Sequence, residues 1–317
     1  MSIVVNNLSK YYGDAKAVDG ISFKVQSGEI LGFLGPNGAG KTTTMRVITC
    51  YLSPNAGSVE VEGKDIRSES LKVRKLVGYL PEQNPLYFDM NVLEYLGYSA
   101  QLQGVEKNSV SSRVREMVDV CALGEMKHKD IGQLSKGYRQ RVGLAAAMIH
   151  DPKVLILDEP TSGLDPNQII EIRNLIKELG KEKTVVLSTH ILPEVQATCN
   201  RVIIINRGKI VADGPIEELQ RGLHGGEKIL MEVEIPGSQS FDEVSSHVKM
   251  IPSIETVAFI EERNGVKKFS VETSKAVDIR RDLFQLCIQR GWVLLELHRE
   301  QTSLEDIFRQ LTADSVK

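Results

Sequence analysis

The sequence predicts an α/β domain followed by a smaller α+β domain. Between residues 3 and 219, short β-branched runs alternate with helical stretches and glycine-rich turns, a pattern typical of an α/β core. After a glycine-rich break at residues 221–226, the pattern restarts as strand, helix, strand, strand, helix, strand, which is the ferredoxin-like order. A chain of 317 residues can bury two separate cores. We therefore predict domains at residues 1–220 and 227–317.

Apolar runs define the elements of the first predicted domain. Short apolar runs between turn residues favour buried strands, and apolar positions three and four apart favour helices. From residue 92 to residue 148 the spacing is helical, so we predict a helical subdomain inserted in the α/β core. The other predicted elements are strands at 29–34, 154–157, 185–188 and 202–205, and helices at 42–52 and 167–179.

The second predicted domain ends in an amphipathic helix at residues 303–311. Ser303 can cap this helix. Its apolar face is predicted to dock on the small sheet, and the residues of that face are Leu304, Ile307, Phe308 and Leu311. The earlier elements are predicted as strands at 228–236, 254–261, 267–273 and 292–299, and helices at 241–250 and 276–290.

Composition excludes several classes of function. Basic side chains number 39 and acidic ones 42, so the net charge of −3 leaves no positive surplus for nucleic acid, which is not an expected partner. No apolar run approaches the roughly 18 residues that a spanning helix needs, and the first residues lack the pattern of a secretory signal. The 4 cysteines are far apart, which predicts reduced thiols in a cytosolic protein.

A glycine-rich loop has the spacing of a phosphate-binding loop. The run G-x-x-x-x-G-K-T lies between the predicted strand 29–34 and the predicted helix 42–52, the context that this motif requires. Backbone N–H groups of such a loop and the positive end of its helix bind phosphate. We expect Lys41 to reach the β- and γ-phosphates, Thr42 to bind Mg²⁺ and Thr43 to support the α-phosphate. The other residues of the loop are Gly35, Pro36, Asn37, Gly38, Ala39 and Gly40.

Two carboxylates follow an apolar strand further along the chain. Asp158 and Glu159 end the run at residues 154–159. Ligands of α/β sheets bind at the carboxyl edge, where these side chains emerge. We expect Asp158 to hold Mg²⁺ through water, and Glu159 to polarise the water that attacks the γ-phosphate.

Residues 134–141, Leu-Ser-Lys-Gly-Tyr-Arg-Gln-Arg, resemble the signature of ABC ATPases. In that family Leu-Ser-Gly-Gly-Gln opens a helix that binds the γ-phosphate of ATP on the opposite subunit. Ser135 and Gly137 match the residues of that contact, whereas Lys136 and Tyr138 depart from the family pattern. Taken alone, the segment also fits a capped helix start. Its order and spacing relative to the other motifs favour the signature.

Two further segments stand where ABC ATPases have their D-loop and switch histidine. Residues 162–165, Ser-Gly-Leu-Asp, resemble the D-loop, and the resemblance implies that Asp165 belongs to the nucleotide site. Ser-Thr-His at residues 188–190 resembles the switch segment. The resemblance implies that His190 holds or senses the γ-phosphate.

Two positions of the resemblance leave alternatives open. Tyr12 aligns with the aromatic residue that stacks on adenine, and Tyr11 beside it is a possible substitute. Residues 78–83 resemble the Q-loop, and the alignment puts Glu82 at the usual glutamine position with Gln83 one residue late. The resemblance implies that an oxygen of Glu82 approaches Mg²⁺ or the attacking water.

The resemblance covers residues 8–218 and implies a P-loop NTPase core of the ABC type. It implies an ATPase that uses ATP and Mg²⁺, with a second copy of the chain completing each site head to tail. It also implies an integral-membrane permease that docks near residues 82–87 and 92–102, at the cytoplasmic face of the cell membrane. The motif sequences and residues 302–308 resemble those of exporters of the gliding-motility, multidrug and polysaccharide subgroup. We therefore expect dimer closure and opening to energise export.

Other functions stay open at this stage. A soluble ABC ATPase of translation or DNA repair usually carries two ATPase halves or a long coiled coil, whereas this sequence has one phosphate loop and no sustained heptads. A nucleotide switch that barely hydrolyses ATP is suggested by Lys136, Tyr138 and Glu82. The second domain could regulate the ATPase, contact its copy or bind a small ligand. The sequence identifies neither the permease nor the transported substrate.

Overall fold

The computed structural model describes residues 1–222, 227–236, 239–263, 265–274, 277–300 and 304–313. These residues form two compact units, Met1–Ile216 and Glu217–Lys317. Most of the glycine-rich break predicted at residues 221–226 lies outside the described residues. Among the described residues, no helix is both long enough and apolar enough to cross a membrane.

The first unit consists of ten strands and the helices between them. The strands are β1 Ile3–Tyr12, β2 Ala15–Val25, β3 Ile30–Leu34, β4 Ala56–Val61, β5 Lys64–Asp65, β6 Val77–Leu80, β7 Val154–Asp158, β8 Thr184–Thr189, β9 Arg201–Asn206 and β10 Lys209–Pro215. The helices are α1 Lys41–Ile48, α2 Ser70–Leu76, α3 Val92–Leu102, α4 Val110–Val120, α5 Lys136–Met148, α6 Pro166–Leu179 and α7 Leu192–Thr198, and α8 Ile216–Gly222 follows at the boundary between the units.

A six-stranded sheet in the order β10-β9-β3-β8-β7-β6 forms the centre of the first unit. Strands β9, β3, β8, β7 and β6 pair in parallel, and β10 pairs antiparallel with β9. Strands β3, β7 and β8 are buried throughout, which explains their uniformly apolar sequences. Because β8 lies between β3 and β7, the carboxyl ends of all three meet at one edge. That edge carries the predicted phosphate loop, the carboxylate pair Asp158 and Glu159, and His190.

Helices α3, α4 and α5 form the predicted helical subdomain between β6 and β7. Their apolar faces share one core, in which Leu96, Val118 and Leu144 are buried. An antiparallel sheet, β2-β1-β4-β5, completes the unit. The prediction of an α/β core with inserted helices is therefore confirmed.

Three predicted helices were too long, and the one predicted at 241–250 ends two residues early, at Val248. The helix predicted at 42–52 ends at Ile48, because Cys50 adopts a positive φ of 60°, which ends a helix. The apolar Leu52 lies instead in a turn, where its N–H donates to the carbonyl of Arg46. The helix predicted at 276–290 begins only at Arg280, whose N–H donates to the carboxylate of Asp278.

The second unit has the ferredoxin-like order. Its elements are β11 Lys228–Glu234, α9 Phe241–Val248, β12 Ile254–Arg263, β13 Val266–Thr273, α10 Arg280–Arg290, β14 Val293–Glu300 and α11 Leu304–Ala313. The four strands pair antiparallel in the order β12-β13-β11-β14, around a core that includes Met231, Phe269 and Leu283. In α11, Ile307 is fully buried. The predicted cap Ser303 lies outside the described residues.

Candidate active site

The phosphate loop connects β3 to α1 through backbone that only glycine can form. Gly40 is the N-cap of α1 with a φ of 108°. A Cβ atom there would collide with the carbonyl oxygen of Ala17, and one at Gly35 would collide with the carbonyl oxygen of Ile205. These glycines therefore let the loop fold tightly at the N-terminus of α1.

Lys41 begins helix α1 and turns its ammonium back over the loop. Its Nζ donates to the carbonyl oxygens of Gly35 at 2.7 Å and Pro36 at 3.3 Å. The same Nζ lies 3.4 Å from Oε1 of Glu159, and both side chains are buried. A single cation thus stands between the glycine-rich loop and the carboxylate strand.

Asp158 is anchored on one oxygen and open on the other. Its Oδ1 accepts hydrogen bonds from Ser188 Oγ at 2.5 Å and from Thr42 Oγ1 at 3.1 Å. Its Oδ2 is buried and has no hydrogen-bond partner among the described residues. Burial raises the pKa of the Asp158 carboxyl, and the hydrogen bonds from Ser188 and Thr42 oppose that rise.

Glu159 follows β7 in a left-handed conformation, with a φ of 48°. Its N–H donates to both the carbonyl oxygen and the hydroxyl of Ser188, each at 3.1 Å. Its Oε2 lies 2.9 Å from Nδ1 of His190, and its other oxygen faces Lys41. Hydrogen bonds that Glu159 N–H donates to the neighbouring strand hold this unfavourable φ, and the turn points the carboxylate into the site.

A cavity of about 470 Å³ unites most of the predicted nucleotide-binding residues. Its walls contain the carboxylates of Glu82 and Glu159 and the ring of His190. The loop residues that line it are Asn37, Gly38, Ala39, Gly40, Lys41, Thr42 and Thr43. Ala17 and Ser162 also line it and were not predicted to do so; Ser162 stands in the D-loop motif, which was the available signal.

The predicted adenine-stacking residue is not among the residues that line this cavity. Tyr12 is 49% exposed at the end of β1, with Lys10 Nζ 5.8 Å from its ring centre. The alternative, Tyr11, has Lys16 Nζ at the same distance from its ring. Neither tyrosine lines the cavity, and nor does Gln83.

The predicted signature residues form a second group, which also stands apart from the cavity. Ser135 caps α5 and accepts a hydrogen bond from the N–H of Tyr138. Gly137 is buried against Gln168, whose amide carbon would lie 2.6 Å from an added Cβ. Gln168 forms a capping box with Asp165 at the start of α6. Within one chain, Ser135, Gly137 and Asp165 thus build one helix-to-helix junction.

Comparison with known proteins agrees with this geometry. The family described as ABC transporter matches residues 18–162. An uncharacterized ABC transporter ATP-binding protein of Bacillus subtilis, YxlF, is 33% identical over 96% of this chain and 97% of its own length. The chain belongs to the ABC transporter family. Within that family it is also similar to the bacitracin transport ATP-binding protein BcrA of Bacillus licheniformis, with 30% identity over 98% of this chain and 96% of that protein.

A solved ABC cassette shows the same core. The dimeric structure of MJ0796, a bacterial ABC transporter cassette, superposes with a TM-score of 0.62 at 25% identity, covering 67% of this chain and 98% of that one. The chain is therefore an ATP-binding subunit of an ABC transporter and an ATPase. The P-loop core of this ABC subunit lies in the first unit, and the ferredoxin-like unit is additional to it.

Proposed function

We propose that the cavity at the phosphate loop is the ATP site of this subunit, with Glu159 as general base. The observation that carries this assignment is the placement of Glu159 between Lys41 and His190 in one cavity. Gly35 and Pro36 fix the Lys41 ammonium through their carbonyl oxygens. The N–H groups at the start of α1 supply donors for the phosphate oxygens, whereas that of Ala39 donates to the carbonyl oxygen of Pro36.

The carboxylate of Glu159 would take a proton from the attacking water. His190 Nδ1 holds one oxygen of that carboxylate and leaves the other toward Lys41. The second ring nitrogen of His190 is available to the γ-phosphate, because the His190 side chain is 46% exposed. Lys41 compensates the negative charge of the phosphates.

The residues around Asp158 fit a Mg²⁺ ion. The Oδ2 of Asp158 has no hydrogen-bond partner among the described residues, and the hydroxyl of Thr42 is bound to the same carboxylate. Mg²⁺ prefers such oxygen ligands and keeps several waters. We assign Asp158, Thr42 and Glu82 to this ion, which when bound neutralises charge on the phosphates. Without it, Thr42 and Ser188 hold Asp158 in position.

A second copy of the chain would complete each site. Ser135, Gly137 and Asp165 do not line the cavity of their own chain, and they stand together at the start of α5 and α6. The N-terminus of α5 carries the Ser135 hydroxyl and the positive end of the helix dipole, which suit an anion. The similar cassette MJ0796 forms a dimer. A head-to-tail dimer would bring this junction onto the ATP bound by the partner, and hydrolysis would release it.

A groove beside α3 is the proposed docking site for an integral-membrane permease. It has a volume of about 360 Å³, and Pro81, Pro85, Tyr95, Ser99 and Leu102 are among its lining residues. Exposed aromatic rings of Tyr87 and Phe88 stand in the adjoining segment. Such a concave, partly apolar surface suits a short helix of a partner. The subunit would then work at the cytoplasmic face of the membrane and energise export, as the resemblance of its motifs to those of exporters implies.

Co-purification tests this assignment. A tagged Glu159→Gln chain, held with ATP, is isolated from detergent-solubilised membranes, and its companions are identified by mass spectrometry. We expect one multi-spanning protein to co-purify. Leu102→Glu should abolish this co-purification and leave ATP binding unchanged. Leu71→Glu is the control, since Leu71 and Leu102 are comparably exposed at 73% and 68%. Ribosomes or DNA-repair proteins in place of a membrane protein would overturn the proposal.

A further inference from the structure

Glu194, on helix α7, bridges the two chain segments that carry Glu159 and His190. Its side chain is buried, at 5% exposure. Thr161 Oγ1 donates a 2.6 Å hydrogen bond to Oε1 of Glu194, and Thr189 Oγ1 donates a 2.8 Å hydrogen bond to Oε2. Both threonines are also buried. One carboxylate therefore binds the hydroxyl of Thr189, the last residue of β8, and that of Thr161, which follows β7.

The bridged threonines are close in sequence to the proposed catalytic pair. Thr161 follows Glu159 by two residues, and Thr189 immediately precedes His190. Since His190 Nδ1 lies 2.9 Å from Glu159 Oε2, the contacts close a ring. The ring runs through Glu159, Thr161, Glu194, Thr189 and His190. The backbone links Glu159 to Thr161 and Thr189 to His190, and side-chain contacts make the other three links. The ring thus connects Glu194 to the Glu159–His190 contact.

Strand pairing alone does not hold this part of the chain. The last pair between β7 and β8 is Asp158 with Ser188. Beyond that pair, Glu159 N–H still donates to the carbonyl of Ser188 and Thr189 pairs with Leu34 of β3, whereas Thr161 follows β7 and depends on other contacts. The bridge supplies one, and it is itself fixed because Thr189 Oγ1 also accepts the N–H of Ile191 at 3.0 Å.

The polar surroundings of Glu194 are sparse. A small cavity beside it is lined by Thr161, Thr198 and Arg173, and no ion pair joins Glu194 to a basic side chain among the described residues. A buried carboxylate is costly unless it is well hydrogen-bonded. The two threonine hydroxyls are the bonds that satisfy it, which indicates that the bridge itself is the role of this residue.

We propose that Glu194 is a positioning residue for ATP hydrolysis. By bridging Thr161 and Thr189, its carboxylate holds Glu159 and His190 in the orientation that turnover requires. The proposal rests on the proposed roles of Glu159 and His190. Because Glu194 does not line the ATP cavity, it acts on turnover and leaves nucleotide affinity unchanged.

Three variants of the full chain test this role through steady-state ATP hydrolysis and nucleotide titration. Glu194→Ala should lower kcat roughly tenfold to a hundredfold, as expected for a misplaced base, with Kd for ATP within about threefold. Glu194→Gln should keep kcat within about threefold, since its amide can accept from one threonine and donate to the other. Val195→Ala, at the next buried position of α7, should lower Tm without lowering kcat more than about twofold.

The controls separate this proposal from the ATP-site assignment. Glu159→Gln is measured in the same assay, and its loss of turnover shows that the site assignment stands. If Glu159→Gln is inactive while Glu194→Ala turns over at the wild-type rate, the positioning role alone is wrong. An equal loss of kcat in Glu194→Ala and Val195→Ala, at equal loss of Tm, would also overturn it. Full activity in Glu159→Gln would instead remove the site assignment on which it rests.

Discussion

Lys41 Nζ lies 3.4 Å from Glu159 Oε1, and their side chains are only 6% and 7% exposed. The proposed phosphate-binding cation and the proposed base therefore form a buried charge pair in the site. A phosphate group that approaches Lys41 competes with this carboxylate for the same charge. We therefore expect the proposed base to favour hydrolysis but to oppose nucleotide binding.

Replacing Glu159 with glutamine should separate these two effects. Glu159→Gln removes the proton acceptor, so we expect turnover to fall by at least about a hundredfold. It also removes a negative charge beside Lys41, so ATP affinity should stay equal or rise, by up to roughly tenfold. Phosphate release and nucleotide titration measure the two quantities. Wild-type turnover in this variant would contradict the assignment of the base.

Replacing Lys41 should act on affinity as well as on turnover. Lys41→Ala removes the cation that the loop carbonyls of Gly35 and Pro36 hold in place. We expect ATP affinity to fall by at least about tenfold, as for loss of a charge-assisted contact. Lys72→Ala, on the exposed face of α2, is the matched control and should leave Kd unchanged. Equal affinities of the two variants would argue against the loop as phosphate site.

Gly137 should resist substitution because of its contact with Gln168. Alanine normally stabilises a helix relative to glycine by about 1 kcal/mol. In Gly137→Ala the new Cβ would press on the Gln168 amide, so we expect destabilisation by about 1 to 2 kcal/mol in urea unfolding. Gly97→Ala in α3, where nothing lies within 4 Å, is the control and should not destabilise. The penalty should shrink when Gln168→Ala is added.

The stability of the first unit should depend on the protonation of His150. Burial lowers the pKa of His150 from its usual 6.5. Its Nε2 lies 3.2 Å from the carbonyl of Val77, and its Nδ1 is buried with no partner among the described residues. The unfolded chain therefore binds a proton more readily, and the contribution of His150, complete above pH 6.5, is lost as the pH falls through the lowered pKa.

We expect His150→Gln to flatten the fall of Tm below pH 6.5. The glutamine amide can still donate to Val77 but takes up no proton. His128→Gln provides the comparison, since His128 is exposed. Parallel Tm curves for wild type and His150→Gln would show that this imidazole does not titrate as described.

Local signals sufficed for the core of the fold and for most of the cavity. The phosphate loop combines a buried strand, fixed glycine spacing and a helix start, and all three are visible within residues 29–48. The strand before Asp158 is uniformly apolar, so its carboxyl end could be placed at the sheet edge. The sequence did not predict the helix end at Ile48, because the left-handed conformation of Cys50 does not alter the spacing of the apolar residues.

Features that depend on distant contacts could not be predicted. Glu194 gains its role only because Thr161 and Thr189 meet it in space. Similarly, Ser188 holds Asp158 through the register of β7 with β8, which no local pattern reveals. Tyr12 was placed by resemblance alone, and the structure leaves it outside the cavity wall.

Complementation between two inactive variants tests the composite ATP site most directly. Lys41→Ala disables the phosphate loop, and Ser135→Ala disables the signature. In a head-to-tail dimer, a mixed pair contains one site with both lesions and one intact site. Each variant alone should therefore be nearly inactive. An equal mixture of monomers should recover up to about a quarter of the wild-type rate, because half of random dimers are mixed. A mixture no more active than the mean of its components would contradict the composite site.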